Sequence, residues 1–136
     1  MFKHILVPTD GSSLAAKGVK AGLKLAAALG ARVTAVYVIL VFPAAMYGDY
    51  KRKAQKAAKK ALAAVEIEAQ ILGVPCTTRF VGDPQAWGAI LRVARSRKCD
   101  AIVMASHGRG GLGGLLLGSE TQRVLAHSKL PVLVVR

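Results

Sequence analysis

Between Ala105 and Ser119 the chain reads Ala-Ser-His-Gly-Arg-Gly-Gly-Leu-Gly-Gly-Leu-Leu-Leu-Gly-Ser. This stretch carries the residue types best suited to hold an anion. Its glycines have no Cβ, so the backbone can approach a ligand closely and turn its N–H groups outward. An apolar run, Ala101-Ile102-Val103-Met104, precedes it, and Glu120 to His127 follow with a helical pattern. A glycine-rich turn between a buried strand and a helix N-terminus is the anatomy of a phosphate cradle.

Two common phosphate motifs do not account for it. Gly108-x-Gly110-x-x-Gly113 matches the dinucleotide fingerprint in letters. It follows the fourth strand of the chain, however, and no acidic residue lies about 20 positions downstream, as that fingerprint requires. The pattern G-x-x-x-x-G-K-[ST] does not occur.

The elements that must hold this loop follow from periodicity. Residues 3 to 8 read as a short buried strand closed by Pro8. Thr9 to Ser13 supply N-cap residues for an amphipathic helix over 14 to 29, with apolar positions 15, 19, 23 and 26 and a stop at Gly30. Residues 32 to 40 are β-branched and aromatic, a second buried strand. The longest helix spans about 50 to 72, with apolar positions 54, 58, 61, 65, 69 and 72. A third strand is expected over 76 to 81. Asp83 as N-cap with Pro84 at the first helical position predicts a third helix to about 98. A strand over 101 to 104, the glycine-rich loop, a fourth helix and a strand over 131 to 135 complete the chain.

Five strands alternating with four helices predict a single α/β domain over residues 1–136, an open parallel sheet with helices on both faces. Strands one and four are apolar on both faces and belong in the centre, whereas Thr77, Thr78 and Arg79 mark strand three as an edge. The implied order is 3-2-1-4-5, a Rossmann-like arrangement. It places Thr9, Asp10 and the glycine-rich loop at the switch point, where open α/β sheets bind ligands.

Composition sets the outer bounds. Hydrophobic residues make up 53% of the 136, yet the longest apolar run, Ala35 to Tyr47, is broken by Pro43 and falls short of the roughly 20 residues that span a bilayer. No membrane association is expected. No secretory h-region or cleavage site opens the chain, so a cytoplasmic location is the expectation. Cys76 and Cys99 form no C-x-x-C and no zinc spacing with the histidines. Lys plus Arg total 20 against 7 Asp plus Glu, a net charge of +13, which favours anionic partners in general. Lys51, Arg52, Lys53, Lys56, Lys59 and Lys60 crowd the first half of the second helix. Such a cluster is most often a solvated face. The alternative is a nucleotide-independent module that docks acidic partners or nucleic acid there. With no RNP motif and only 5% aromatics, nucleic acid ranks well below a nucleotide.

Gly108, then nine residues, then Gly118-Ser119, after Met104-x-Ser106-His107, resembles the G-x-x-G-x9-G-[ST] signature of the universal stress protein family. The resemblance extends to Ile5-Leu6-Val7-Pro8-Thr9-Asp10-Gly11-Ser12, to Gly82-Asp83-Pro84 and to the closing Pro131-Val132-Leu133-Val134-Val135. It implies the adenine nucleotide alpha hydrolase-like fold and the ATP-binding branch of the family, hence a stress-response regulator or nucleotide-dependent switch. Two positions depart from the pattern. Ala105 stands where the motif has its first glycine, tolerable if φ there is negative. Glu120 follows Gly118-Ser119, where its carboxylate either repels a triphosphate or helps hold a metal ion.

The resemblance also assigns roles. Phosphates would lie on the backbone of Gly108, Arg109 and Gly110, on Gly118 and Ser119, and on the first turn of the fourth helix with Glu120 and Thr121. The Ser119 hydroxyl would donate to a phosphate oxygen while also capping its helix. Asp10 would meet the ribose hydroxyls or a bound Mg²⁺; capping the first helix is an equal reading. Thr9 and Val38 would line the nucleoside pocket, with Pro8, Met104, Ser106 and His107 beside them. Arg109 pairs with a phosphate or stays solvated, and a lone His107 reads as structural. Similar proteins pair the last strand across a two-fold axis, which implies a homodimer through residues 131–135. No general base or catalytic metal cluster is visible, so any ATP hydrolysis is expected to be slow.

Overall fold

The computed structural model describes residues 1–43, 48–108 and 116–136. Each strand run identified by its apolar pattern pairs in one parallel sheet. β1 (His4–Pro8), β2 (Arg32–Leu40), β3 (Cys76–Asp83), β4 (Ala101–Ala105) and β5 (Val132–Val135) lie in the order β3-β2-β1-β4-β5. All residues of β1 and β4 are buried, while β3 alternates between exposed and half-buried positions. A strand covered on both faces must be apolar on both, and only an edge tolerates Thr77 and Arg79.

The helices α1 (Ser13–Leu29), α2 (Asp49–Ile71), α3 (Ala86–Ser96) and α4 (Ser119–His127) divide between the faces. Val19 and Leu23 of α1 and Leu62 and Val65 of α2 share one core with Ile5, Val7, Val33 and Val103. Ile90 and Val93 of α3 and Val124 of α4 share the other with Leu6, Val36, Ile102 and Met104. The odd and even residues of each strand thus serve opposite cores, as the pleat requires.

The caps explain the helix limits and correct two expectations. Ser12, not Asp10, caps α1, its hydroxyl accepting the Ala15 N–H at 3.1 Å, and Gly30 ends the helix at φ 67°. α3 begins at Ala86 rather than Pro84. Asp83 remains in β3, paired with Leu40, and its carboxylate accepts the Gln85 N–H at 2.8 Å and the Arg92 guanidinium at 2.8 Å. The carboxylate makes a turn before the helix instead of capping it.

α1 approaches the sheet closely because of its glycines. A Cβ on Gly18 would lie 2.7 Å from the Ala105 backbone nitrogen. That contact seats α1 against the end of β4. β1 pairs with β2 as far as Pro8↔Val36, but with β4 only at Ile5↔Ala101 and Leu6↔Ile102. Beyond Leu6 the two central strands part, and the gap opens at their carboxyl ends.

Candidate functional site

A cavity of about 790 Å³ lies over that gap. Pro8, Thr9 and Asp10 enter it from the end of β1, Val38 from β2, Met104 from β4, His107 and Gly108 from the segment after it, and Gly118, Ser119, Glu120 and Thr121 from the start of α4. Most of the residues expected from the sequence therefore converge. Ser106 does not line the cavity: it is buried, its hydroxyl 3.1 Å from His107 Nδ1 and its carbonyl accepting the Gly118 N–H at 2.7 Å. Arg109 and Gly110 lie outside the described residues.

The turn after β1 is held by its own side chains. Thr9 Oγ1 accepts the Gly11 N–H at 3.2 Å, and Asp10 Oδ1 accepts the Ser12 N–H at 2.9 Å. Gly11 sits at φ 81°, a left-handed conformation that L side chains rarely take. Asp10 Oδ2 lies against Gly108, where a Cβ would stand 2.5 Å from that oxygen. The two halves of the site meet at this contact, which a Cβ at 108 would break by displacing the Asp10 carboxylate.

Opposite, Gly118 is the N-cap of α4 and brings no side chain to the first-turn N–H groups. Ser119 is the first helical residue, so the expected capping role of its hydroxyl is not realised. A Cβ on Gly118 would come within 3.3 Å of the Ser106 carbonyl oxygen and His107 Cα. Thr121 turns inward, its hydroxyl donating to the Ala105 carbonyl at 3.0 Å. Ala105 itself has no positive φ, since Lys98 is the one non-glycine residue with that geometry among the described residues. Alanine is therefore accommodated where the signature that this stretch resembles has glycine.

Glu120 serves a purpose that the sequence does not announce. Its Oε2 accepts the Trp87 N–H at 2.7 Å, so the carboxylate caps the first turn of α3. The Trp87 ring in turn stacks on His127, with centroids 4.5 Å apart. α3 and α4 are clamped side by side, and Ala86 and Ile90 of α3 form a wall of the cavity.

Other lining residues escaped the sequence reading. Val36, Ile39 and Leu40 extend the β2 side, and Tyr50, Lys53, Ala54 and Ala57 face it from α2. Their spacing is i, i+3, i+4, i+7, one helix face. Alanines give little hydropathic contrast, and the surrounding lysines obscure the rest. The Tyr50 hydroxyl donates to the Leu40 carbonyl at 2.8 Å, fixing α2 against the end of β2.

The thiols are remote from nucleophilic chemistry. Burial pushes both Cys76 and Cys99 up to about 11, with Glu66 and Asp100 respectively adding to the shift. Among the described residues no group of three or more His, Cys, Asp and Glu is placed to hold a metal ion, and no helix is long and apolar enough to cross a membrane.

The sequence pattern of the Universal stress protein family matches residues 1–136. A universal stress protein of Thermus aquaticus is 36% identical over all of both chains. Universal stress protein MJ0531 of Methanocaldococcus jannaschii is 34% identical over the whole chain and 83% of its own length. Among solved structures, MJ0577 superposes with a TM-score of 0.83 at 31% identity, covering 99% of this chain and 96% of that one. A universal stress protein in complex with cAMP superposes at 0.77 with 25% identity, covering 99% and 97%. The family pattern over the whole length and these relatives show that the chain belongs to the universal stress protein family.

Proposed function

We propose that the cavity binds an adenine nucleotide, ATP foremost, and that the protein works as a stress-response regulator whose occupancy adjusts its self-association or its partners. The observation that carries this reading is the close backbone approach that two glycines make on either side of the cradle. Gly108 is pressed against Asp10 Oδ2, and Gly118 opens α4 beside it. A helix N-terminus carries roughly half a positive charge and unpaired N–H donors, the natural seat for a phosphate. The cAMP complex of a structural neighbour supports an adenine nucleotide in this fold.

In this reading Gly108, Gly118, Ser119 and the first turn of α4 bear the phosphates. Thr9 and Val38 flank the nucleoside, and Asp10 takes the ribose hydroxyls or a Mg²⁺ ion. The Asp10 carboxylate suits either role, being acceptor-only and already oriented by the Ser12 N–H. Glu120, committed to Trp87, is not assigned to the metal. A homodimer forms through β5. Titration calorimetry with ATP, with and without Mg²⁺, and mass spectrometry of nucleotide released on denaturation test the reading. Saturable binding of ATP, or co-purified adenine nucleotide, is expected; neither being observed while a known nucleotide-binder responds would overturn it.

A further inference from the structure

The second helix raises a question that the cradle leaves open. Its six cations between Lys51 and Lys60 crowd the N-terminal half, where the helix dipole disfavours positive charge. Arg52 is paired with Asp49 within the helix. Of these six, Lys53 alone lines the cavity.

Its position is set by its neighbours. Tyr50, one turn earlier, is bonded to the Leu40 carbonyl, and Ala54 and Ala57 continue the same face along the cavity wall. Lys53 is therefore carried on a helix anchored to the sheet. α2 covers one face of that sheet and α4 the other, so Lys53 and the Gly118–Ser119 turn approach the cavity from different layers. The charged residues lining it, among those described, are Asp10, Glu120 and Lys53. Asp10 orients the turn after β1 and Glu120 caps α3. Among the described residues, Lys53 is left as the cation that lines the ligand space.

We infer that Lys53 is an anion-binding residue of this cavity, closing on the phosphates of the ligand from the α2 side and selecting phosphorylated nucleotides over neutral nucleosides. The inference rests on the nucleotide reading above. An ammonium gains little from an uncharged base or ribose, whereas a charge-assisted hydrogen bond to phosphate is about twice as strong as a neutral one. The preference then grows with the charge of the ligand, ATP over AMP over adenosine. Because Lys53 is exposed, its substitution leaves the core untouched.

The experiment measures the affinities of ATP, AMP and adenosine for the unaltered protein, Lys53→Gln, Lys53→Arg and Lys60→Gln. Lys60 shares the helix but not the cavity. Expected is a loss of about tenfold or more in ATP affinity for Lys53→Gln, a drop of about 1.4 kcal/mol. Adenosine binding should be unchanged, Lys53→Arg should restore most of the loss, and Lys60→Gln should behave as the unaltered protein. ATP affinity in Lys53→Gln equal to that in Lys60→Gln would overturn the inference while leaving the nucleotide site intact. Equal losses for ATP and adenosine would also overturn it, placing Lys53 on the nucleoside. No binding of any of the three ligands by the unaltered protein would overturn both readings together.

Discussion

The Glu120 carboxylate accepts the Trp87 N–H at 2.7 Å across 33 residues of chain. It joins the first turns of α3 and α4, both of which border the cavity. An acidic side chain beside a phosphate cradle would repel its ligand if it pointed inward. Here its oxygen is occupied by another helix's free donor, which satisfies one of the orphan N–H groups every helix start leaves.

Glu120→Ala should therefore act as the loss of a helix cap, costing about 0.5–2 kcal/mol of stability. Glu120→Gln, which keeps an acceptor oxygen, should cost less. Urea unfolding measures the difference, and Trp87 emission should shift as its stacking on His127 loosens. A Glu120→Ala protein with unchanged stability and altered Mg²⁺ dependence would instead place the carboxylate on a metal.

Two glycine-to-alanine changes should separate site from scaffold. At Gly108 the new Cβ meets Asp10 Oδ2, the tip of a side chain that can swing away. The fold should survive within about 0.5 kcal/mol, as exposed substitutions usually do, while ATP affinity falls by roughly tenfold because Asp10 has moved. At Gly18 the new Cβ meets the Ala105 backbone nitrogen at 2.7 Å, which cannot give. Alanine gains up to about 1 kcal/mol in helix propensity. Overpacking against backbone costs about 1–3 kcal/mol, so Gly18→Ala should lower the unfolding midpoint.

His4 makes the fold sensitive to mild acid. It is buried, with Nε2 2.7 Å from Thr34 Oγ1. Burial and then the Arg32 guanidinium hold its pKa below the ordinary value, with Asp100 opposing. The unfolded chain takes up this proton near pH 6.5 and the folded one only at lower pH. Stability should thus be full above about pH 6.5 and decline below it, by at most about 1.4 kcal/mol per pH unit. Asp83 and Asp100, whose pKa values are lowered, act in the other range: their contribution is present above about pH 4 and is lost on further acidification. Urea midpoints at pH 7.5 and 5.5 should differ for the unaltered protein and less for His4→Asn. Equal declines in both would remove His4 as the cause.

Leu133 remains half exposed on β5, an edge strand. Light scattering should return a dimer for the unaltered protein and a monomer for Leu133→Arg, since a desolvated charge would oppose pairing. A dimer that persists in Leu133→Arg would move the interface elsewhere.

The sheet order was legible because strand polarity distinguishes a doubly covered strand from an edge: His4–Pro8 against Thr77–Arg79. Buried helix positions such as Val19, Leu23, Ala58, Val65 and Ala69 followed from period alone. The start of α3 did not, because β2 extends far enough to keep Asp83 in the sheet. Local cap chemistry at Asp83-Pro84 was outweighed by strand pairing, a contest no short window reveals. The cradle residues Asp10, Gly108 and Gly118 were legible as a motif. Lys53 was not, because its meaning depends on which way α2 faces, and the side chains sharing that face are mostly alanines.

At Gly18 α1 is seated directly on the backbone at the end of β4, with no side chain between them to rearrange if the proposed nucleotide fills the cavity. Accommodation falls to the sides, to α2 and the α3–α4 pair. In the proposed reading, those helices and not α1 are where a filled cavity would first be felt.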